Sequence, residues 1–116
     1  MGILVTNNPK VESQYKNMYQ VEYLEVDLLG VLTHVRDYVH KGYKLLTHPL
    51  SGSIKPNESP YKSVLISDSP GDTDAHSVII IEESIQTAQK FPLKNIPEKH
   101  LHDLQTIDFT LIQSAL

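Results

Sequence analysis

Residues 27–47 read DLLGVLTHVRDYVHKGYKLLT, and the fold turns on how they are read. Leu28, Leu29, Val31, Leu32, Val35, Tyr38 and Val39 recur at the 3.6-residue period of a helix that buries one face. Asp27 stands where an N-cap carboxylate accepts from the free amides of the first turn. His40 and Lys41 complement the dipole at the other end. Gly42 occupies the position after the helix, where a left-handed backbone is commonly needed. Tyr43-Lys44-Leu45-Leu46-Thr47 follows at once as a strand.

Upstream, Ile3-Leu4-Val5 reads as a buried strand with a polar exit, Thr6-Asn7-Asn8-Pro9. Asn8 is a good N-cap, and Pro9 suits the first helical position, where its missing N–H costs nothing. Val11, Tyr15 and Met18 are spaced for one helical face, and Gln20 to Val26 is rich in strand formers. The pattern is βαβαβ with short connections. It predicts an α/β domain: a small three-layer, Rossmann-like or flavodoxin-like, mostly parallel sheet with helices on both faces.

From His48 to Tyr61 the chain reads HPLSGSIKPNESPY, with three prolines and almost nothing that builds a core. So long a structureless run in so small a domain is usually functional or disordered. Lys62 to Ser67 returns to strand character, with its direction left open, and Asp68-Ser69-Pro70-Gly71-Asp72 is a turn. Residues 73–90 could hold a strand at 78–81, yet Ile81, Ile85 and Ala88 favour a helix from about Thr73 to Lys90. Pro97 opens a last helix whose apolar stripe is interrupted by Asp108 and Thr110.

The chain's 116 residues suit one domain, 1–116. Having no cysteine excludes disulfides, thiolate zinc sites, Fe–S clusters and cysteine nucleophiles. Ten basic against 14 acidic residues, with no basic block, argue against nucleic acid. No stretch approaches a membrane span, and the opening MGILVTNNPK lacks the marks of a signal peptide, so a cytoplasmic protein is expected.

In doubly wound sheets ligands bind beyond the carboxyl ends of the strands, where strand order reverses. Here that crevice would open between the first and third strands, lipped by Thr6-Asn7-Asn8 and Thr47-His48-Pro49, with the long loop as a lid. The first helix would add free N–H groups at its start. Thr6, Asn7, Asn8, Thr47, His48, Ser51, Gly52, Ser53, Lys55, Asn57, Tyr61 and Lys62 are the candidate binding residues, and their chemistry suits a small anion. His48 is the one candidate acid or base. Ser51-Gly52-Ser53 has no phosphate-loop spacing, and no HExxH occurs. His34 and His40, and likewise His100 and His102, diverge around their helices, so no metal site is expected. Glu82-Glu83-Ser84 reads as a solvated helix face, and Asp68 and Asp72 as turn residues bonded to their own backbone.

At TNNP (Thr6 to Pro9) and the run HKGYKLLTHPLSGSIKPNESPYKS (His40 to Ser63), the chain resembles the GrdX family. The likeness extends to IIEESI (Ile80 to Ile85) and the terminal SAL (Ser114 to Leu116). That resemblance implies a bacterial protein encoded with the selenoprotein-dependent glycine, sarcosine and betaine reductases of anaerobic, amino-acid-fermenting organisms. It supplies no catalytic residue, and no cofactor is expected. Three readings follow: a non-catalytic accessory protein binding a small anionic ligand, an interaction factor for glycine reductase subunits, and a small enzyme using His48. A homodimer through the long apolar helix or the last helix is compatible with each.

Overall fold

The computed structural model describes residues 2–50, 58–91 and 95–116. Strand β1 (Gly2–Thr6) is buried along its whole length and forms the centre of a three-stranded sheet. Helix α1 (Pro9–Tyr15) returns the chain to β2 (Gln20–Tyr23), which pairs with β1 in parallel, Thr6 beside Tyr23. Helix α2 (Leu28–His40) follows, capped by the Asp27 carboxylate on the Gly30 amide. Strand β3 (Ser63–Ser67) lies on the other side of β1 and runs antiparallel to it, with Thr6 opposite Ser63 and Gly2 opposite Ser67. Helix α3 (Ala75–Gln89), a 3-10 turn (Glu98–His100) and helix α4 (Leu101–Gln113) complete the described chain.

Side chains alternate across the strands and build a core on each face. Ile3, Val5, Val64 and Ile66 pack against Val31, Leu32 and Val35 of α2 and Ile81 and Ile85 of α3. Leu4 and Leu65 face the other way, onto Val11 and Tyr15 of α1 and Ile112 of α4. The Tyr15 and Phe109 rings stack at 5.7 Å and join those two helices. The expected three layers, with helices on both faces, are therefore present.

The mostly parallel sheet is not. Residues 43–47 do not lie beside β1; they touch the outer edge of β3 through a single antiparallel bridge, Leu45 to Ile66. Burial explains the exchange. A strand in the middle of a covered sheet needs apolar side chains on both faces, and Val64-Leu65-Ile66 supplies three in a row. In 43–47, Lys44 and Leu46 are exposed, and the segment suits an edge. The sheet is mixed, with an antiparallel β3 between β1 and the 43–47 segment.

Local signals fared better. The helix expected from about Thr73 to Lys90 is α3, capped by Asp74, whose carboxylate accepts from the Ser77 amide and hydroxyl. The last helix continues past Asp108 and Thr110. Met18, read as part of the first helical face, lies beyond the end of α1 and is exposed. Among the described residues no helix is long and apolar enough to cross a membrane.

Gly42 has φ of +101°, and its carbonyl accepts from the Gly71 amide at 3.0 Å. A Cβ at Gly42 would come within 2.1 Å of the Gly71 carbonyl oxygen, whereas one at Gly71 meets nothing within 4 Å. Gly42→Ala is expected to cost about 2 kcal/mol or more, and Gly71→Ala less than about 0.5 kcal/mol. Urea denaturation of the two variants beside the parent checks the contrast.

Candidate functional site

Because β3 runs antiparallel to β1, its first residues meet the last residues of β1 at one end of the sheet. The 43–47 segment runs antiparallel to β3 in turn, so Thr47 reaches the same end. The polar lips expected around a crevice thus converge, with β3 rather than an open cleft between them.

A buried hydrogen-bond chain occupies this end. Thr6 Oγ1 accepts from the Asn8 amide at 3.0 Å and lies 2.7 Å from Ser63 Oγ. Ser63 Oγ donates to Asp108 Oδ2 at 2.7 Å, which commits its one proton, so the Thr6 hydroxyl donates to Ser63. Asn8 Nδ2 donates to the same carboxylate oxygen at 3.0 Å and to the Gln105 carbonyl at 2.9 Å. Asp108, Asn8, Thr6 and Ser63 are all buried. Asn7 acts as a clamp: its side chain donates to the Val26 and Pro60 carbonyls and accepts from the Lys62 amide at 2.8 Å.

Lys62 is buried beside this chain. Burial pushes its ammonium below the ordinary value, while the Asp108 carboxylate pulls in the opposite direction. Thr47, Lys62, Ser63 and Asp108, with Leu111 and Ile112 of α4, border a cavity of about 20 Å³. That volume suits a single water-sized group.

The helix-start part of the anion argument does not hold. The Lys10 amide is bonded to Asn8 Oδ1, the Val11 and Glu12 amides to the Asn8 carbonyl, and Pro9 has none. The first turn of α1 therefore has no free donor to offer. His48 is exposed, and its Nδ1 accepts from the Leu50 amide at 3.1 Å. It is not among the residues that border the cavity. The Tyr61 hydroxyl accepts from Gln105 Nε2 at 2.8 Å, and the Thr47 hydroxyl from the Leu65 amide at 3.0 Å. Ser51, Gly52, Ser53, Lys55 and Asn57 lie outside the described residues.

Neither Ser63 nor Asp108 is marked as a site residue by the sequence patterns. Asp108 had a signal: a carboxylate standing in the apolar stripe of a helix is costly unless it is paired. Elsewhere, Glu82 turns back to α2, with Oε1 3.8 Å from Arg36 Nε and 3.6 Å from His40 Nε2. Among the described residues, no group of three or more His, Cys, Asp or Glu is placed to hold a metal. A wider depression at the far end of the sheet is bordered by Lys44, Ser67 and Asp74. Ser67 Oγ and the Asp74 carboxylate are both engaged by neighbouring groups there.

The mixed three-stranded sheet flanked by helices, closed at one end by a buried polar chain, defines a small α/β domain. The family model for GrdX-like proteins matches residues 3–116, and the chain belongs to that family. No curated protein and no solved structure matches it.

Asp108→Ala is expected to cost about 3–5 kcal/mol, because it removes the negative charge facing Lys62 and strands two buried donors. Asp108→Asn, which keeps an acceptor, should cost less; chemical denaturation separates the two. Lys62 yields a pH test. Between its lowered native value and 10.5 the unfolded chain binds more protons, so this residue's contribution to stability rises with pH across that window. The melting temperature of the parent relative to Lys62→Met is expected to climb as the pH is raised toward 10.5. A constant difference would show that Lys62 titrates normally in the fold.

Proposed function

We propose that this chain is a non-catalytic accessory protein of a selenoprotein-dependent glycine, sarcosine or betaine reductase system. In this reading it binds a small anionic ligand at the sheet end formed by residues 6–9 and 47–62. Membership of the GrdX-like family supports the first part. The observation that carries the second is Lys62, a lysine kept buried next to the hydroxyls of Thr47 and Ser63 at the border of a cavity. Lysine is rarely buried unless it is paired, and Lys62 lies within the residues that the family model matches.

The contacts narrow what such a ligand can be. With the amides of α1 engaged, the attractive group is the Lys62 ammonium, assisted by the Thr47 hydroxyl, which accepts from Leu65 and, among the described residues, donates to no other group. The cavity takes one water-sized group, so the ligand inserts a single oxygen of a carboxylate or phosphate and keeps the remainder outside. Asp108 screens the ammonium and favours a weak, exchangeable ligand over a tightly held one.

Melting temperatures measured with phosphate, acetyl phosphate, acetate, glycine, sarcosine, betaine and mononucleotides test this reading. A ligand at ~100 times its dissociation constant adds about 2.7 kcal/mol, worth several degrees in a domain of this size. The expected result is a shift with one of the anions that Lys62→Met abolishes while the variant remains folded. An equal shift in both proteins, or none from any compound, would overturn the ligand and leave the interaction reading in its place.

A further inference from the structure

Strand β2 is an edge of the sheet. The Leu24 amide bonds to the Thr6 carbonyl, and Thr6 is paired in parallel with Tyr23. By the alternation of such a ladder, the backbone N–H and C=O groups of Val21 and Tyr23 point away from β1. Among the described residues, no hydrogen bond outside the sheet engages them. Two large apolar residues stand exposed just beyond the ends of this strand, Met18 at 53% and Val26 at 45%.

The edge is also acidic. From residue 17 to residue 33 the chain carries Glu22, Glu25 and Asp27 and no lysine, arginine or histidine. Glu22 sits between Val21 and Tyr23, and its carboxylate is held toward α2 by the Tyr38 hydroxyl at 2.5 Å and His34 Nε2 at 3.0 Å. Its side chain remains about one third exposed, at 32%.

We propose that the β2 edge is the docking site for an extended segment of a partner protein. The segment adds as a fourth strand on Val21 and Tyr23 and places a lysine or arginine across from Glu22. Strand addition satisfies the outward backbone groups, and opposite charges set across from each other on neighbouring strands attract. A second copy of this chain is the poorer occupant. A two-fold antiparallel pairing that uses both Val21 and Tyr23 sets Glu22 directly against Glu22 of the other copy, in the closely spaced, non-hydrogen-bonded position. The inference does not depend on a ligand at Lys62.

The test uses the full chain and a displayed library of nine-residue peptides. Peptides selected on the parent are expected to carry lysine or arginine at one position, and those selected on Glu22→Lys to carry aspartate or glutamate there. Glu22→Gln, which preserves shape and hydrogen bonding toward α2, should lose the preference without reversing it. With a synthetic copy of a selected peptide, amide exchange at Val21 and Tyr23 should slow at least tenfold. The proposal is overturned by a library that yields no binder, by a preference that ignores residue 22, or by protection that falls elsewhere. Protection of Val21 and Tyr23 that grows with protein concentration in the absence of peptide would assign the edge to self-association and overturn it as well.

Discussion

Asp108 lies on the face of α4 that packs against the sheet, where a carboxylate loses its water. An ionised group in that position is tolerable only when donors replace the lost solvent. Asn8 and Ser63 supply them, and Lys62 supplies a facing charge. The three come from the cap of α1 and the start of β3, so one carboxylate ties together segments 45 and 100 residues away in sequence. Much of what is polar at this end of the molecule is arranged around that requirement. Thr6 orients Ser63, and Asn8 divides its amide between the carboxylate and the Gln105 carbonyl while its Oδ1 caps α1.

The same constraint shapes the candidate site. A crevice between two parallel strands would have left the ends of β1 and 43–47 facing open solvent. Inserting β3 between them fills that space and turns the polar residues inward onto one another. What remains is a narrow cavity beside Lys62, together with a run from 58 to 62 that the Asn7 side chain pins by donating to the Pro60 carbonyl and accepting from the Lys62 amide. The cavity is thus bordered by a buried lysine and a buried carboxylate together. The opposite flank is built differently. At β2 the sheet simply stops, and its outward backbone groups are left without internal partners among the described residues.

Much of this was legible in the chain. Asp27, Asp74 and Asn8 were recognisable or are explicable as caps, because capping is a contact between residues two or three apart. The α2 stripe and the glycine behind it could be read for the same reason. The candidate site is half legible: Thr6, Asn8, Thr47 and Lys62 gather at one end of the sheet, but no local pattern marks Ser63 and Asp108, which bond to Thr6 and Asn8 there. His48 looked chemically apt from its place between a strand and a proline, yet its described bond is to the Leu50 amide two residues on.

The sequence by itself determined the caps of α1 and α2, the apolar stripes of α2 and α3, and that the family is GrdX-like, since periodicity, caps and motifs are properties of neighbouring residues. Tertiary structure alone decided that β3 takes the place beside β1 and runs antiparallel. That choice rests on which run can be buried on both faces, a competition between segments about 20 residues apart that no local pattern expresses. It also decided the role of Asp108. A buried carboxylate acquires its meaning only from donors brought to it by the rest of the chain, and those donors are set by strand order rather than by sequence spacing.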